Sequence, residues 1–195
     1  MTTSLPTSSP TRDVRGTELP AAGVWRIDPG HAEVGFVGRH LVFTKVRGRF
    51  PGVSGVMRIA EEPDDTTIDA VIDMASVDSG NAQRDEHLRS PDLFDVARYP
   101  TATFRGSARR WRGRTGELAG ELTIKGISRP VVLDVEYLGF VRDPWGGERI
   151  IFSASTVINR DDWGVSWNMP LEAGGVLVSK EIRIELELEA TRDGV

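Results

Sequence analysis

The chain has 195 residues, 39% of them hydrophobic and 27% charged, with a net charge of −5; that length favours one domain with its own core. The acidic balance argues against a nucleic-acid partner, which would want a basic stripe. The absence of cysteine excludes disulfides, thiolate metal sites and cysteine nucleophiles, and no stretch reaches the roughly 18 consecutive apolar residues of a membrane-spanning helix.

Residues 1–22 are rich in Thr, Ser and Pro. They have neither the apolar centre nor the basic start of a secretory signal. They therefore read as a disordered or loosely attached tail, with residues 23–195 as one domain and the cytoplasm as the compartment. Residues 25–28 begin a first strand and residues 33–39 a second, with Val34 and Phe36 on one face. A Gly- and Pro-containing turn at 48–52 leads into a strand over 53–60, and 61–65 is an acidic turn. Ile68, Ala70, Ile72 and Met74 then share a face, against Asp69 and Asp73 on the other, which is the period of a strand.

At 77–100 the alternation breaks into a short, charged helical segment that holds Arg84, Asp85, Glu86, His87 and Arg89 and stops at Ser90-Pro91. Asn81 or Ser79 can cap it. Within it only Ala82 and Leu88 offer apolar burial, so polar contacts are expected to anchor it, since so short a helix does not stand alone in water. Arg84, His87 and Leu88 share a face, and Asp85 can pair with Arg89 on another. Arg84 and His87 therefore either tie the helix to a barrel rim or meet the polar head of a ligand at a cavity mouth. Acid–base catalysis by His87 with Asp85 is the weaker alternative, because two positions along a helix point nearly opposite ways.

Alternation resumes after residue 100. One strand carries Phe104. Leu118, Gly120, Leu122 and Ile124 oppose Glu117 and Glu121, and Val131, Leu133, Val135 and Tyr137 oppose Asp134 and Glu136. Ile150, Phe152, Ala154, Thr156 and Ile158 follow. Finally Val176, Val178, Ile182, Ile184, Leu186 and Leu188 oppose Glu181, Arg183, Glu185, Glu187 and Glu189, so one face of the sheet meets water. Eight or nine antiparallel strands with one helix make an all-β protein, closed as a sandwich or an up-and-down barrel. The long strands favour an elongated barrel, and eight strands leave room for one small ligand.

Other chemistry finds little support. His31, His40 and His87 have no metal-ligand spacing. There is no Gly-x-Ser-x-Gly elbow and no phosphate or dinucleotide loop. The basic run 109–114 reads as an exposed turn, with a contact to an anionic headgroup as the alternative. Residues 159–165 end a strand in a polar, aromatic turn, and Trp163, Trp167 and Met169 give it the bulk to close an apolar cavity or simply to pack.

Several blocks together resemble the YceI-like (polyisoprenoid-binding) family. They are Trp25-Arg26-Ile27-Asp28-Pro29-Gly30-His31; Phe36 and His40 with Val46-Arg47-Gly48-Arg49-Phe50; and Val77-Asp78-Ser79-Gly80-Asn81 with Arg84-Asp85-x-His87-Leu88, Phe94-Asp95, Tyr99-Pro100 and Phe104. Gly120-x-Leu122-Thr123-Ile124-Lys125-Gly126 with Pro130-Val131, and Ile158-Asn159-Arg160-x-Asp162-x-Gly164, complete the set. The likeness spans roughly residues 23–190. Ala32 stands where the family usually has Ser, and Ser79 where it usually has Thr.

The resemblance implies an elongated eight-stranded, lipocalin-like antiparallel barrel whose apolar tunnel binds a long isoprenoid or quinone-like lipid, without an established catalytic reaction. Strand faces and resemblance together nominate Val34, Phe36, Phe43, Phe104, Phe152, Trp163 and Met169 for the tunnel, with Arg84, His87, Asn159 and Arg160 near the head of the lipid. The leading expectation is a carrier or sequestration protein with no metal and no cofactor besides its lipid. A homodimer is compatible with the family. An isoprenoid-modifying enzyme using His87 or Asp85, and an interaction module with a filled core, are the alternatives.

Overall fold

Period-two alternation buries every second side chain only if the strands find partners on both sides, and a closed sheet meets that demand. The computed structural model describes residues 9–40, 44–144, 146–169 and 178–192. Its elements in chain order are β1 (Thr11–Val14), β2 (Thr17–Pro20), β3 (Gly23–His40), β4 (Thr44–Phe50), β5 (Val53–Ile59) and β6 (Thr67–Asp73). Helix α1 (Ala82–Arg89) follows, then β7 (Thr101–Arg112), β8 (Thr115–Ile124), β9 (Ile127–Arg142), β10 (Glu148–Asn159) and β11 (Glu181–Arg192).

From β5 to β11 each strand pairs antiparallel with the next, and β11 pairs back onto β3. Strands β4 and β5 lie end to end along β3, parted at Pro51-Gly52, and act as one stave. The result is a closed eight-stave, up-and-down barrel. One end gathers the turns at 60–66, 112–115 and 142–148; the other carries α1 and the turn at 124–127.

Two sequence expectations change here. The strands expected at 25–28 and 33–39 are one strand of 18 residues. Ile27 faces Ala190 and Ala32 faces Leu188, so Asp28, Pro29, Gly30 and His31 together oppose Glu189. This wide bulge looks like a turn in sequence because it contains Pro-Gly, yet the ladder continues on both sides.

The second correction concerns residues 9–22, which are not a loose tail. β1 and β2 form a hairpin through Arg15 and Gly16, both at positive φ (56° and 82°), the twist a two-residue hairpin turn requires. Leu19 is only 4% exposed and joins the main core with Trp25, Tyr137, Ile150 and Ala190. The hairpin end of the barrel is thereby covered. Residues 1–8 and Val176 lie outside the described residues.

Candidate functional site

A cavity of about 680 Å³ runs inside the barrel from the hairpin to α1. Its wall is almost wholly apolar, because the inward faces of β3 to β11 supply Val, Ile, Leu and Phe at every second position. A cavity of this size is in the range of small-molecule sites.

Val34, Phe36, Phe104, Phe152 and Trp163 all line it. Phe36 lies across its cross-strand neighbour Gly48, where a Cβ would come within 2.3 Å of the ring. Phe104 covers Gly106 and Gly120 in the same way. Each ring thus occupies space that glycine leaves free on the facing strand and, for Phe104, on its own strand as well. Trp163 is 2% exposed and donates its indole N–H to the Leu122 carbonyl at 2.9 Å.

Two nominated residues are elsewhere. Asn159 ends β10 on the outer face, because Ile158 takes the inner one, and its Oδ1 accepts from the Asp161 N–H at 3.1 Å. Met169 is 53% exposed. The side-chain amide of the preceding Asn168 donates to the Val178 carbonyl and accepts from its N–H, and Met169 is off the tunnel wall. Phe43 lies outside the described residues.

Helix α1 closes the other end, and its anchoring is polar, as its composition suggests. Asn81 caps it by accepting from the Arg84 N–H at 2.9 Å. Asp85 is buried and accepts from the Ser79 N–H at 2.8 Å and from the Ser79 hydroxyl. The expected Asp85–Arg89 pair gives way to this contact, and Arg89 donates instead to the carbonyls of Ala75 and Val77. Apolar docking comes from the flanks, where Val77, Leu93 and Phe94 pack with Leu88 against the barrel.

Arg84, His87 and Arg160 all reach the tunnel at this end. Arg84 is already committed to the hydroxyl and carbonyl of Ser79 at 2.8 and 2.7 Å. His87 stands edge-on to Trp167, ring centroids 4.4 Å apart, with Nε2 3.4 Å from Asp92. Arg160 is 7% exposed. Its guanidinium donates to the carbonyls of Ser179, Val165 and Trp167, and its buried Nη2 has no partner among the described residues. Burial holds its pKa below the usual arginine value.

On the outer wall, Asp28, His31 and Glu189 come together at the β3 bulge, their ligand atoms within 4.8 Å of one another. Arg149 sits among them, paired with Asp28 and reaching Glu189 at 3.2 Å and Asp143 at 3.4 Å. Its hydrogen bond holds the Asp28 carboxyl down at about 2. The guanidinium already supplies the positive charge that a metal ion would bring.

A sequence profile of the YceI-like domain matches residues 25–190. The chain belongs to the YceI-like family. A UPF0312 protein of Photorhabdus laumondii is 34% identical over 175 residues, 88% of each chain. One of Vibrio parahaemolyticus is 33% identical over 157 residues, 80% of this chain and 81% of its own. Among solved structures, the Campylobacter jejuni YCEI protein is 30% identical with a TM-score of 0.67, covering 80% of this chain and 90% of its own. BcnA of Burkholderia cenocepacia (23% identical, TM-score 0.73, 85% and 99% covered) shares the fold. So does a polyisoprenoid binding domain from Saccharophagus degradans (18% identical, TM-score 0.63, 88% and 99% covered).

The YceI-like blocks fall at three places. Trp25 and Ile27 enter the core near the hairpin, Asp28 and His31 build the outer bulge, and Arg84 to Leu88 with Arg160 gather at the helix end. Four wall aromatics are missing from the residues nominated for the tunnel: Phe50, Phe94, Trp111 and Trp167. Phe50 and Phe94 sit inside the YceI-like blocks and pack edge-on at 5.6 Å, so the motif carried a signal for them. Among the described residues no helix is long and apolar enough to cross a membrane.

Proposed function

We propose that this YceI-like barrel binds a long-chain polyisoprenoid or quinone-like lipid in its tunnel and acts in its transport, storage or sequestration. The observation that carries the reading is an apolar cavity running the length of the barrel, with a donor, Arg160 Nη2, that is unpartnered among the described residues at the helix end. Each buried methylene contributes about 0.8 kcal/mol, so a long tail needs few polar contacts. Arg160 supplies a head-group contact to an acceptor oxygen, and Phe36, Phe104 and Phe152 hold the tail. The Saccharophagus domain, whose fold is the same, is named for binding a polyisoprenoid.

Binding rather than turnover is favoured by the state of the acid–base candidates. One oxygen of the buried Asp85 accepts two hydrogen bonds from Ser79, and His87 packs against Trp167. A cytoplasmic location belongs to the same proposal, and fractionation of the producing cell tests it. The decisive experiment is organic extraction of purified protein followed by mass spectrometry, with Ala154→Trp as the control. Ala154 lines the tunnel, so the variant is expected to lose the lipid that the parent carries. Parent protein that is repeatedly lipid-free and also fails to bind added prenols would overturn the reading.

A further inference from the structure

The family match begins at residue 25, yet the tunnel is also lined by residues that precede it: Arg12, Leu19 and Pro20 of the β1–β2 hairpin. We infer that this hairpin is the floor of the tunnel and sets the longest hydrocarbon tail the barrel accepts, with Leu19 as the residue that meets the tail's end. The inference rests on the lipid-binding reading above and adds to it a structural cause of chain-length selection.

The hairpin is built to stay in place. Arg12 donates to the Ala60 and Glu61 carbonyls beyond β5 and pairs with the Glu61 carboxylate. Its Nε reaches back to the Pro20 carbonyl at 3.2 Å, locking β1 to β2. Where the hairpin runs into β3, the buried indole of Trp25 donates to the Ala21 carbonyl at 3.1 Å. The hairpin is thus tied to the turn after β5 and to the start of β3, and Leu19 joins the main core.

A floor held this way presents a fixed apolar wall, not a flap. A tail that reaches Leu19 has no apolar space beyond it, so each further carbon stays outside the tunnel. Every methylene that fits adds about fourfold in affinity and every one that does not adds nothing. The affinity of a homologous series should therefore climb with length and break sharply at one member.

The test titrates the full-length protein with a series of all-trans prenols lengthened by successive isoprene units, read by tryptophan fluorescence. The measured quantity is the position of the break, not the absolute affinity. Leu19→Ala removes about three carbons from the floor, so the first prenol that the parent refuses should gain at least tenfold relative to its shorter neighbour. Leu19→Trp should move the break to a shorter prenol. Circular dichroism checks folding, and should either variant fail to fold, Leu19→Val arbitrates with a smaller shift toward longer prenols. A break that stays put in the folded variants, or a parent that binds prenols with no break at all, overturns the floor and leaves lipid binding standing. A parent that binds no prenol removes the lipid reading itself, and this inference with it.

Discussion

An arginine stands at each end of the tunnel, and the two do similar work in different ways. Arg12, at the hairpin end, holds its surroundings through the carbonyls of Pro20, Ala60 and Glu61 and is further neutralised by the Glu61 carboxylate. Arg160, at the helix end, clamps the carbonyls of Ser179, Val165 and Trp167, and one nitrogen remains buried and unpaired. A guanidinium has five N–H donors in a rigid fork, so it can fasten loops and still present a donor. Every guanidinium nitrogen of Arg12 has a partner; the guanidinium of Arg160 is one hydrogen bond short among the described residues. In the proposed binding mode that asymmetry gives the tunnel a direction, with the polar head beside Arg160 and the tail toward Leu19.

Removing each arginine tests the contrast most severely. Arg160→Ala strands buried carbonyls and should cost about 3 kcal/mol, on the order of 10 °C in Tm, by thermal unfolding. The milder Arg160→Lys should weaken a lipid with a head-group oxygen about tenfold, the value of one charge-assisted hydrogen bond, while a head-less hydrocarbon of equal length binds unchanged. Equal losses for both ligands would dissolve the proposed direction. Arg12→Ala should cost less, about 2 kcal/mol, because water reaches the 20% exposed side chain and re-solvates part of what it held.

The barrel itself was legible because period-two alternation runs through nearly every strand, and a closed sheet follows from needing to satisfy so many edges. The four-residue strands of the hairpin are too short for alternation to be measured, and Ser- and Pro-rich neighbours hid them. Asn159 was misplaced although the parity of β10 contained the answer, since Ile158 inside puts Asn159 outside. The spare donor of Arg160 could not be read at all. It depends on which carbonyls the folded turn brings within reach, a property of the tertiary structure alone.

Acid sharpens the comparison on the outer wall. Asp28 ionises near 3.8 when unfolded and near 2 beside Arg149 in the folded barrel. Its contribution is therefore complete above about pH 5, shrinks as pH falls through this interval, and is mostly lost by about pH 2. Screened by nearby solvent, it amounts to about 1 kcal/mol. Urea unfolding from pH 5 to pH 2 should show that loss in the parent and a flatter acid limb in Asp28→Asn.

The smallest effect concerns a second unpaired polar atom. The Tyr137 hydroxyl is buried without a hydrogen-bond partner, and burial pushes its pKa up to about 12. Unlike Arg160, Tyr137 does not line the tunnel; it packs behind the wall against Phe152, centroids 5.2 Å apart. An unpaired donor that no ligand can reach only costs stability, so Tyr137→Phe should raise stability by about 1 kcal/mol, or about 3 °C in Tm, with lipid binding unchanged. Alkali separates the two forms further. Above pH 10 the unfolded tyrosine releases its proton while the buried one keeps it to about 12, so the parent loses stability with rising pH. The variant lacks that share of the alkaline loss. A destabilised Tyr137→Phe would mean that the hydroxyl has a role, and that the hairpin end is not as complete as the pairing of Arg12 indicates.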